Sequence, residues 1–174
     1  TDFEQWDLNG TTFAGGTVDI AKCFDQIIRL LVYALASAAG MPVQVLDTYR
    51  RFQESILVHN TIAGGVGTGF QRRCGIPQGC PMSMMFTALL MRPWILLARS
   101  LGACPRILAD DILLLVHGKG MLRKFAVSLN KTHEYLIDMG AKIAEGKSLN
   151  FASTSTARKW LSDTAWDLAG GAIK

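Results

Sequence analysis

Apolar residues recur at helical spacing in four segments of the chain, and shorter apolar runs lie between and after these segments. The helical spacing predicts helices over residues 25–39, 42–54, 82–101 and 119–139. The shorter runs predict strands at residues 55–63, 70–74, 142–144 and 148–151, and on both sides of Asp110 and Asp111. Residues 15–21 predict a turn at Gly15 and Gly16 followed by a short strand. This mixture is typical of an α+β fold.

Capping residues indicate where the helices begin and end. Asp25 is predicted to cap the first helix, Gly40 to end it, and Pro42 to open the second. Pro93 lies inside the third helix and predicts a kink there. Gly140 ends the fourth helix. One apolar face of that helix contains Leu122, Phe125, Leu129, Tyr135 and Leu136.

The segment from residue 55 to residue 74 predicts a β-hairpin whose tip is the glycine cluster at residues 64–69. The cluster lacks a Walker lysine and a strand-to-helix setting, so a flexible tip is favoured over a phosphate-binding loop. Residues 1–14 carry little pattern and predict a loop or a short strand. The tail, residues 153–174, is polar and then glycine-rich, with Trp160 and Trp166 as candidate packing anchors.

Asp110 and Asp111 stand between two apolar runs that predict two buried strands. An unpaired buried carboxylate costs several kcal/mol, and the nearest basic residue in the run is Arg106. A bound cation at a tight turn would offset this cost, and hard divalent cations such as Mg²⁺ or Mn²⁺ prefer carboxylate oxygen. The alternative is an ordinary hairpin turn whose aspartates face water. From these residues alone, both interpretations stay open.

Composition narrows the class of protein. With 174 residues, 49% of them hydrophobic and 18% charged, the chain has the make-up of one globular domain rather than of a disordered segment. A net charge of +4 permits a polyanionic partner without requiring one. No signal peptide or uninterrupted membrane span is predicted. Neither the cysteines nor the histidines show metal-ligand spacing, and reduced thiols are expected at Cys23, Cys74, Cys80 and Cys104.

Four motifs, taken in order, resemble the palm of reverse transcriptases. The motifs are residues 18–25 (VDIAKCFD), 75–83 (GIPQGCPMS), 109–111 (ADD) and 140–148 (GAKIAEGKS). The second is most similar to non-LTR retrotransposon and group II intron enzymes. The resemblance implies a polymerase palm, in which an antiparallel sheet is backed by helices, together with part of the fingers. It places the palm at about residues 1–26 and 78–174, and the fingers part at about residues 27–77.

The resemblance also implies an RNA-directed DNA polymerase that uses an RNA template, a DNA primer and a dNTP. Its two-metal chemistry would use Mg²⁺ or Mn²⁺. Asp19 and Asp110 would be the principal metal ligands, with Asp111 beside them and the backbone carbonyl of Ile20 contributing. The alternative for Asp19 is a carboxylate that caps a turn at a strand end. A repurposed palm that binds RNA without catalysis, or a metal-dependent nuclease, are the competing functions.

Other positions take their expected roles from the same resemblance. Phe24 would be the aromatic gate under the incoming sugar, favouring dNTP over rNTP, or else a core residue. Gln78 and Gly79 would touch the templating base pair, or else form a plain turn. Lys147 would lie near the pyrophosphate as a general acid, or else be a solvated lysine. The family tends to have leucine and asparagine where this chain has Ala141 and Ala144, which loosens the fourth motif.

Arg72 and Arg73, with Arg50 and Arg51 nearby, are candidates for contacts to template phosphates, or else a solvated face. The chain begins with Thr1 rather than methionine. We therefore expect a catalytic-core fragment of a larger polyprotein, without the upstream fingers and the downstream thumb. The retrotransposon resemblance suggests a nuclear or cytoplasmic location, and a group II intron type would suggest an organellar one.

Overall fold

The computed structural model of the chain describes residues 2–166. It has two compact units, one formed by residues up to Cys23 and from Met91 onward, the other by residues from Phe24 to Leu90. The helices are α1 (Asp2–Leu8), α2 (Cys23–Gln26), α3 (Arg29–Ala38), α4 (Val43–Ser55), α5 (Ser83–Ser100), α6 (Met121–Asp138) and α7 (Ser155–Asp163). The strands are β1 (Phe13–Val18), β2 (Leu57–Val58), β3 (Thr61–Ile62), β4 (Gly65–Val66), β5 (Phe70–Gln71), β6 (Cys104–Leu108), β7 (Asp111–His117) and β8 (Leu149–Ala152).

The first unit is built on a four-stranded antiparallel sheet with the order β6-β7-β1-β8. Alternate residues of β1 and β7 are buried on one face of this sheet, as the two-residue period of a strand requires. They pack against α6 and the second half of α5 in one apolar cluster. The cluster includes Ala14, Val18, Ile112, Leu114, Trp94, Phe125, Leu129, Leu136 and Trp166. The predicted α+β class and the predicted apolar face of the fourth helix are confirmed.

Gly15 and Gly16 lie inside β1, so the predicted turn at these residues is wrong. A Cβ atom on Gly16 would lie 2.5 Å from Oδ1 of Asn150 and 2.9 Å from Cζ of Phe125. A Cβ atom on Gly15 would lie 2.6 Å from Cζ of Phe151. The two glycines are needed because neighbouring side chains occupy this space on both faces of the sheet.

The second unit has its own small core around α3 and α4. Arg29 is 6% exposed, and its guanidinium donates hydrogen bonds to Glu54 at 3.1 Å and to the backbone oxygen of Gln53 at 3.3 Å. The hydroxyl of Tyr33 donates to the same carboxylate at 3.1 Å. Asp25 does not cap a helix, because α3 begins later, at Arg29, with no side-chain cap. Its carboxylate instead forms an ion pair with Arg72.

The predicted hairpin is confirmed, but its strands are short. Residues 55–63 contain two separate strands, with β2 paired to β5 and β3 paired to β4 around the glycine tip. The helix predicted over residues 82–101 is confirmed as α5, which continues through Pro93. Similarly, α4 and α6 match the predicted helices at residues 42–54 and 119–139.

Both ends of the chain contain helices that the hydrophobic pattern did not predict. Residues 2–8 form α1, and Trp6 stacks on His117 with ring centroids 4.5 Å apart. In the polar tail, α7 begins after Thr154, whose side chain accepts a hydrogen bond from the backbone of Ala157. Trp166 is 1% exposed, so this part of the anchor prediction is confirmed. Residues 167–174 of the predicted tail lie outside the described residues.

The strand predicted at residues 142–144 is reduced to a single bridge between Ile20 and Ile143. The next predicted strand is confirmed as β8, one residue later than expected. All four cysteines are free thiols, as predicted. Among residues 2–166, no helix has the length and apolar character needed to cross a bilayer.

Candidate functional site

Asp19 follows the last residue of β1, on the sheet face opposite the apolar cluster. Val18 pairs with Ile112 and both are buried, so the adjacent positions on the other face are Asp19 and Asp111. Trp6 packs near Phe13 and His117 at the far end of this face. The aspartates lie at the opposite end of this face. The pairing of β1 with β7 therefore brings together two carboxylates from distant parts of the sequence.

Asp110 lies in the tight turn that joins β6 to β7. Leu108 pairs with Asp111, so Ala109 and Asp110 are the two turn residues, and Ala109 has a φ of +57°. Positive φ is uncommon for alanine and often occurs at functional sites. Asp110 is half-buried and Asp111 is exposed.

The expectation of two buried strands around these aspartates is wrong for β6. It is an edge strand, paired with β7 alone within the sheet, and Leu108 is 69% exposed. Only β7 is largely buried. The burial penalty on the two carboxylates is therefore smaller than the apolar runs suggested, and the case for a cation depends on where the aspartates meet.

Asp19, Asp111 and Lys147 line one cleft of about 400 Å³, together with residues of β1 and β7. The Nζ atom of Lys147 lies 3.6 Å from Oδ2 of Asp19. The lysine side chain is 78% exposed and the aspartate side chain 20% exposed. An ion pair with one partner so exposed contributes little to stability, so the lysine is free to exchange this carboxylate for another anion.

The segment that carries Lys147 is joined by backbone hydrogen bonds to the end of β1. The N–H of Ala144 donates to the oxygen of Asp19 at 2.9 Å, and the N–H of Ala21 donates to the oxygen of Lys142 at 2.8 Å. These bonds flank the bridge between Ile20 and Ile143. In an antiparallel bridge of this kind the carbonyl of Ile20 takes no part. The departures at Ala141 and Ala144 thus do not prevent the fourth motif from meeting the first.

Cys23 lies near two of the predicted site carboxylates. Burial raises the pKa of its thiol to about 11, and the negative charges of Asp110 and Asp19 add to this effect. The thiol therefore stays protonated at neutral pH and is a poor nucleophile.

The donor set in this cleft suits a hard cation. The carboxylates of Asp19 and Asp111 face the cleft and provide only oxygen ligands, which Mg²⁺ and Mn²⁺ prefer. Within the described part of the chain, no three His, Cys, Asp or Glu side chains are already arranged as a metal cluster. The residues fit a metal whose remaining ligands come from a substrate or water, which is usual for Mg²⁺.

Phe24, Gln78 and Gly79 all belong to the second unit. The N–H of Ile76 donates to the oxygen of Phe24 at 2.8 Å, and this bond joins the start of the second motif to Phe24. Phe24 is half-buried, whereas Gln78 and Gly79 are exposed. The structure therefore brings the predicted sugar gate and the predicted template loop into one unit. Their roles stay predictions.

The two predicted nucleic-acid contacts differ in their surroundings. The guanidinium of Arg72 is paired with Asp25 and its side chain is 29% exposed, so part of its charge is already neutralised. Arg73 is exposed. Arg50 lies over the ring of Tyr33, with 5.9 Å between the guanidinium carbon and the ring centroid. Of the two predicted contacts, Arg73 is the more exposed candidate for a phosphate contact.

Ser148 is the residue of the site that the sequence reasoning missed. It is 2% exposed, and its hydroxyl accepts a hydrogen bond from the N–H of Asp19 at 3.3 Å. Its only signal in the sequence is its position directly after Lys147, since a serine in a glycine- and lysine-rich turn has no distinctive pattern.

Comparison with known proteins gives a result for the fold alone. No family model matches the chain, and no curated protein matches it. Among solved structures, apo telomerase from Candida tropicalis, truncated from the C-terminal domain, superposes with a TM-score of 0.65 at 15% identity over 88% of this chain. Telomerase from Candida albicans, in complex with a TWJ fragment of telomeric RNA, gives a TM-score of 0.61 at 14% identity over 88% of this chain.

The chain spans about a third of the length of these neighbours, with 34% of the first and 29% of the second covered. A third solved structure, C. tropicalis telomerase with a TWJ fragment of telomeric RNA, gives a TM-score of 0.64 at 13% identity. The antiparallel sheet, the helices behind it and these superpositions agree with the fold that the four motifs implied. The chain has a reverse-transcriptase-like fold of the polymerase palm type.

Proposed function

We propose that this chain is the catalytic palm of an RNA-directed DNA polymerase that adds a dNTP to a primer 3′-hydroxyl. The observation that carries the proposal is the single cleft that holds Asp19, Asp111 and Lys147, next to the turn with Asp110. Carboxylates and a lysine meeting at one end of a palm sheet are the groups that nucleotidyl transfer needs.

Asp19, Asp110 and Asp111, with the carbonyl of Ile20, would hold Mg²⁺ or Mn²⁺. When bound, such ions lower the pKa of the primer hydroxyl and stabilise the charge that develops on the leaving pyrophosphate. The protein holds the carboxylates at the end of a paired strand and at a two-residue turn. The geometry of the ligands is thus set by backbone pairing rather than by flexible loops.

Lys147 would bind the negatively charged triphosphate and deliver a proton to the leaving pyrophosphate. Its exposure and its weak pairing with Asp19 support this role, because the lysine is available to an incoming anion. Phe24 would exclude a ribose 2′-hydroxyl by occupying its space. The exposed amide of Gln78 and the backbone of Gly79 would touch the templating base pair.

The proposed polymerase would copy an RNA template and would be part of a longer parent protein. Two of the solved neighbours are complexes with telomeric RNA, and this supports an RNA template for the present chain. The amino-acid sequence of residues 75–83 favours a retroelement enzyme of the non-LTR or group II intron type. A parent protein with further fingers and a thumb belongs to the proposal, and the coverage of only 34% and 29% of two neighbours is consistent with it.

Primer extension tests the proposal. The full-length parent protein and this chain are each given poly(rA), oligo(dT), dTTP and Mg²⁺, and incorporation is followed over time. We expect Asp110→Asn to lower the rate about a thousandfold, since metal stabilisation of the transition state is worth several kcal/mol. The control is Asp138→Asn, an exposed carboxylate at the end of α6, and it should retain the wild-type rate.

The outcomes separate the competing functions. Incorporation that survives Asp110→Asn would contradict the assignment of the metal ligands. If the wild-type parent incorporates nothing but still binds RNA, the chain is an RNA-binding palm without catalysis. Cleavage of the template strand in place of extension would identify a nuclease.

A further inference from the structure

We propose that Ser148 is a positioning residue that fixes Asp19 and Lys147 in one arrangement so that the cleft can bind a divalent metal. The inference rests on the proposed function and deepens it, because nothing in the four motifs assigns a role to this serine. Its basis is a closed ring of hydrogen bonds among three residues of the first unit, Asp19, Ala144 and Ser148.

The ring begins with the N–H of Asp19, which donates to Oγ of Ser148 at 3.3 Å. The same hydroxyl donates to the backbone oxygen of Ala144 at 3.0 Å. The N–H of Ala144 then donates back to the oxygen of Asp19 at 2.9 Å. A hydroxyl is required at this position because it must accept one hydrogen bond and donate another.

Ala144 also connects Lys147 to the ring. Its backbone oxygen accepts from the N–H of Lys147 and from the N–H of Ser148, each at 3.0 Å. The short helical turn Glu145–Lys147 is therefore anchored to the same carbonyl that receives the serine hydroxyl. The serine hydroxyl thus adds a second link, beside the backbone bond from Ala144 to Asp19, between the segment that carries the Asp19 carboxylate and the segment that carries the Lys147 amine.

The hydrogen-bond ring lies just past the ends of the two ladders that β1 forms with β7 and β8. The ladder between β1 and β7 stops at the pair Val18 and Ile112, and the ladder between β1 and β8 stops at Thr17 and Leu149. Asp19 lies one residue beyond the first ladder and two residues beyond the second. Without the serine hydroxyl its N–H would lose this acceptor, and the carboxylate would sample more than one direction. Removing a group that holds a metal ligand in position by a hydrogen bond typically lowers metal affinity or activity by about 10- to 100-fold.

The chain provides a matched control at the other end of β1. Oγ of Ser153 accepts from the N–H of Phe13 at 3.0 Å and lies 3.3 Å from the oxygen of Phe13, to which it donates. Ser148 and Ser153 thus flank β8 and connect it to the two ends of the same strand. Ser153→Ala removes a comparable hydroxyl bridge without touching the candidate cleft.

The experiment measures Mn²⁺ binding to this chain by the EPR signal of the free ion, for the wild type, Ser148→Ala, Ser148→Thr and Ser153→Ala. Asp19→Asn identifies the binding that belongs to the cleft. We expect Ser148→Ala to weaken Mn²⁺ binding about tenfold. Ser148→Thr keeps the hydroxyl and should stay within about twofold of the wild type, as should Ser153→Ala. Thermal melting by circular dichroism checks that each variant folds.

In the parent protein, primer extension should fall in the same order, with kcat for dTTP incorporation reduced in Ser148→Ala and restored in Ser148→Thr, because the serine orients Asp19 and Lys147 without touching the nucleotide. If Ser148→Ala does not fold, Ser148→Cys replaces it. The thiol fills the position with a somewhat larger group and forms only weak hydrogen bonds, so the same loss of metal binding is expected.

Two results would overturn the role of Ser148 and leave the proposed function intact. One is Mn²⁺ binding that is lost in Asp19→Asn but unchanged in Ser148→Ala. The other is an equal loss in Ser148→Ala and Ser153→Ala, which would mean that the hydroxyl supports the sheet in general. A wild-type parent that neither binds Mn²⁺ through Asp19 nor extends a primer would overturn the proposed function, and the role of Ser148 with it.

Discussion

His133 on α6 is fully buried, and neither of its ring nitrogens has a hydrogen-bond partner among the described residues. Burial lowers its pKa to about 4, because the charged imidazolium loses its hydration. The ring is therefore neutral in the folded protein at every pH at which an unfolded histidine would begin to protonate. The histidines show no metal-ligand spacing in the sequence, and burial gives His133 a structural place in the core.

A pH dependence of stability follows. The unfolded state takes up a proton near its ordinary pKa of about 6.5, whereas the folded state takes it up only near pH 4. Stability contributed by this group is present above about pH 6.5 and is lost as the pH falls toward about 4. We expect His133 to account for a loss of about 2 kcal/mol in the free energy of unfolding between about pH 8 and about pH 5.

Urea unfolding at both pH values, for the wild type and for His133→Leu, measures this loss. Leucine fills a similar volume and does not titrate, so the difference between the two proteins isolates the histidine. Equal losses in both proteins would show that other groups cause the acid sensitivity.

The predicted roles of Asp25 and Arg72 depend on which neighbour each side chain pairs with. Asp25 has the chemistry of a helix cap, but Arg72 takes its carboxylate. The same ion pair partly neutralises an arginine that the sequence offered as a template contact. Neither outcome is visible in the sequence, because the two residues are 47 positions apart.

Among the elements, the loop of the second motif shows most clearly why particular glycines are needed. Gly75 has a φ of +84°, and a Cβ atom there would lie 2.8 Å from the oxygen of Asp25 and 2.9 Å from the oxygen of Phe24. Gly79 has nearly the same backbone, with a φ of +83°, but no heavy atom lies within 4 Å of its Cβ position. The two glycines therefore share a backbone conformation but differ in the space available for a side chain.

We expect Gly75→Ala to destabilise the chain by about 2–4 kcal/mol, since it adds a clash with fixed backbone oxygens to the cost of positive φ. Gly79→Ala should cost only about 1–2 kcal/mol, from φ alone. The free energy of unfolding of each variant in urea gives the comparison. Equal costs for the two variants would mean that the loop moves away from Phe24 freely.

The strand β1 contains two glycines whose sequence pattern predicts a turn. Two consecutive glycines are a common turn signal, and on this basis Gly15 and Gly16 predict a turn. In the sheet they are strand residues, because Phe151 and Leu115 fill one face beside them and Phe125 fills the other. Only a residue without a side chain fits between these neighbours. Such a requirement comes from packing and leaves no periodic trace in the sequence.

For the whole molecule, the net charge of +4 and the pI near 9.0 permit association with a polyanion. The basic side chains differ in whether an acidic neighbour already neutralises their charge. Arg72 is paired with Asp25, whereas Arg73 is exposed on the same unit. A contact between one basic side chain and one phosphate contributes to affinity and to its salt dependence, and does not select a sequence.

If Arg73 contacts single-stranded template, Arg73→Gln should reduce the slope of log K against log salt concentration by about 0.7. Lys159→Gln removes the same charge from an exposed position on α7 and should leave the slope unchanged. Fluorescence anisotropy of a labelled poly(rA) oligonucleotide at several salt concentrations measures both. An equal change in the two variants would indicate a general effect of net charge instead of a contact.

The sequence by itself determined the α+β class, the helices α4, α5 and α6, the hairpin around residues 64–69 and the motifs that identify a palm. These features are local, since helix periodicity, turn glycines and short motifs act over a few residues. It also named Asp19, Asp110, Asp111 and Lys147 as a set, because the motifs resemble those of a known family.

Only the tertiary structure decided which of these residues share a cleft. Strand pairing places Asp19 next to Asp111, and backbone bonds to residues 142–144 bring in Lys147. It also decided the edge exposure of β6, the strand role of Gly15 and Gly16, and the ring closed by Ser148. The physical reason is the same in each case. Register, edge position and close contact arise between segments far apart in the chain, and their free energy depends on neighbours that no local pattern contains.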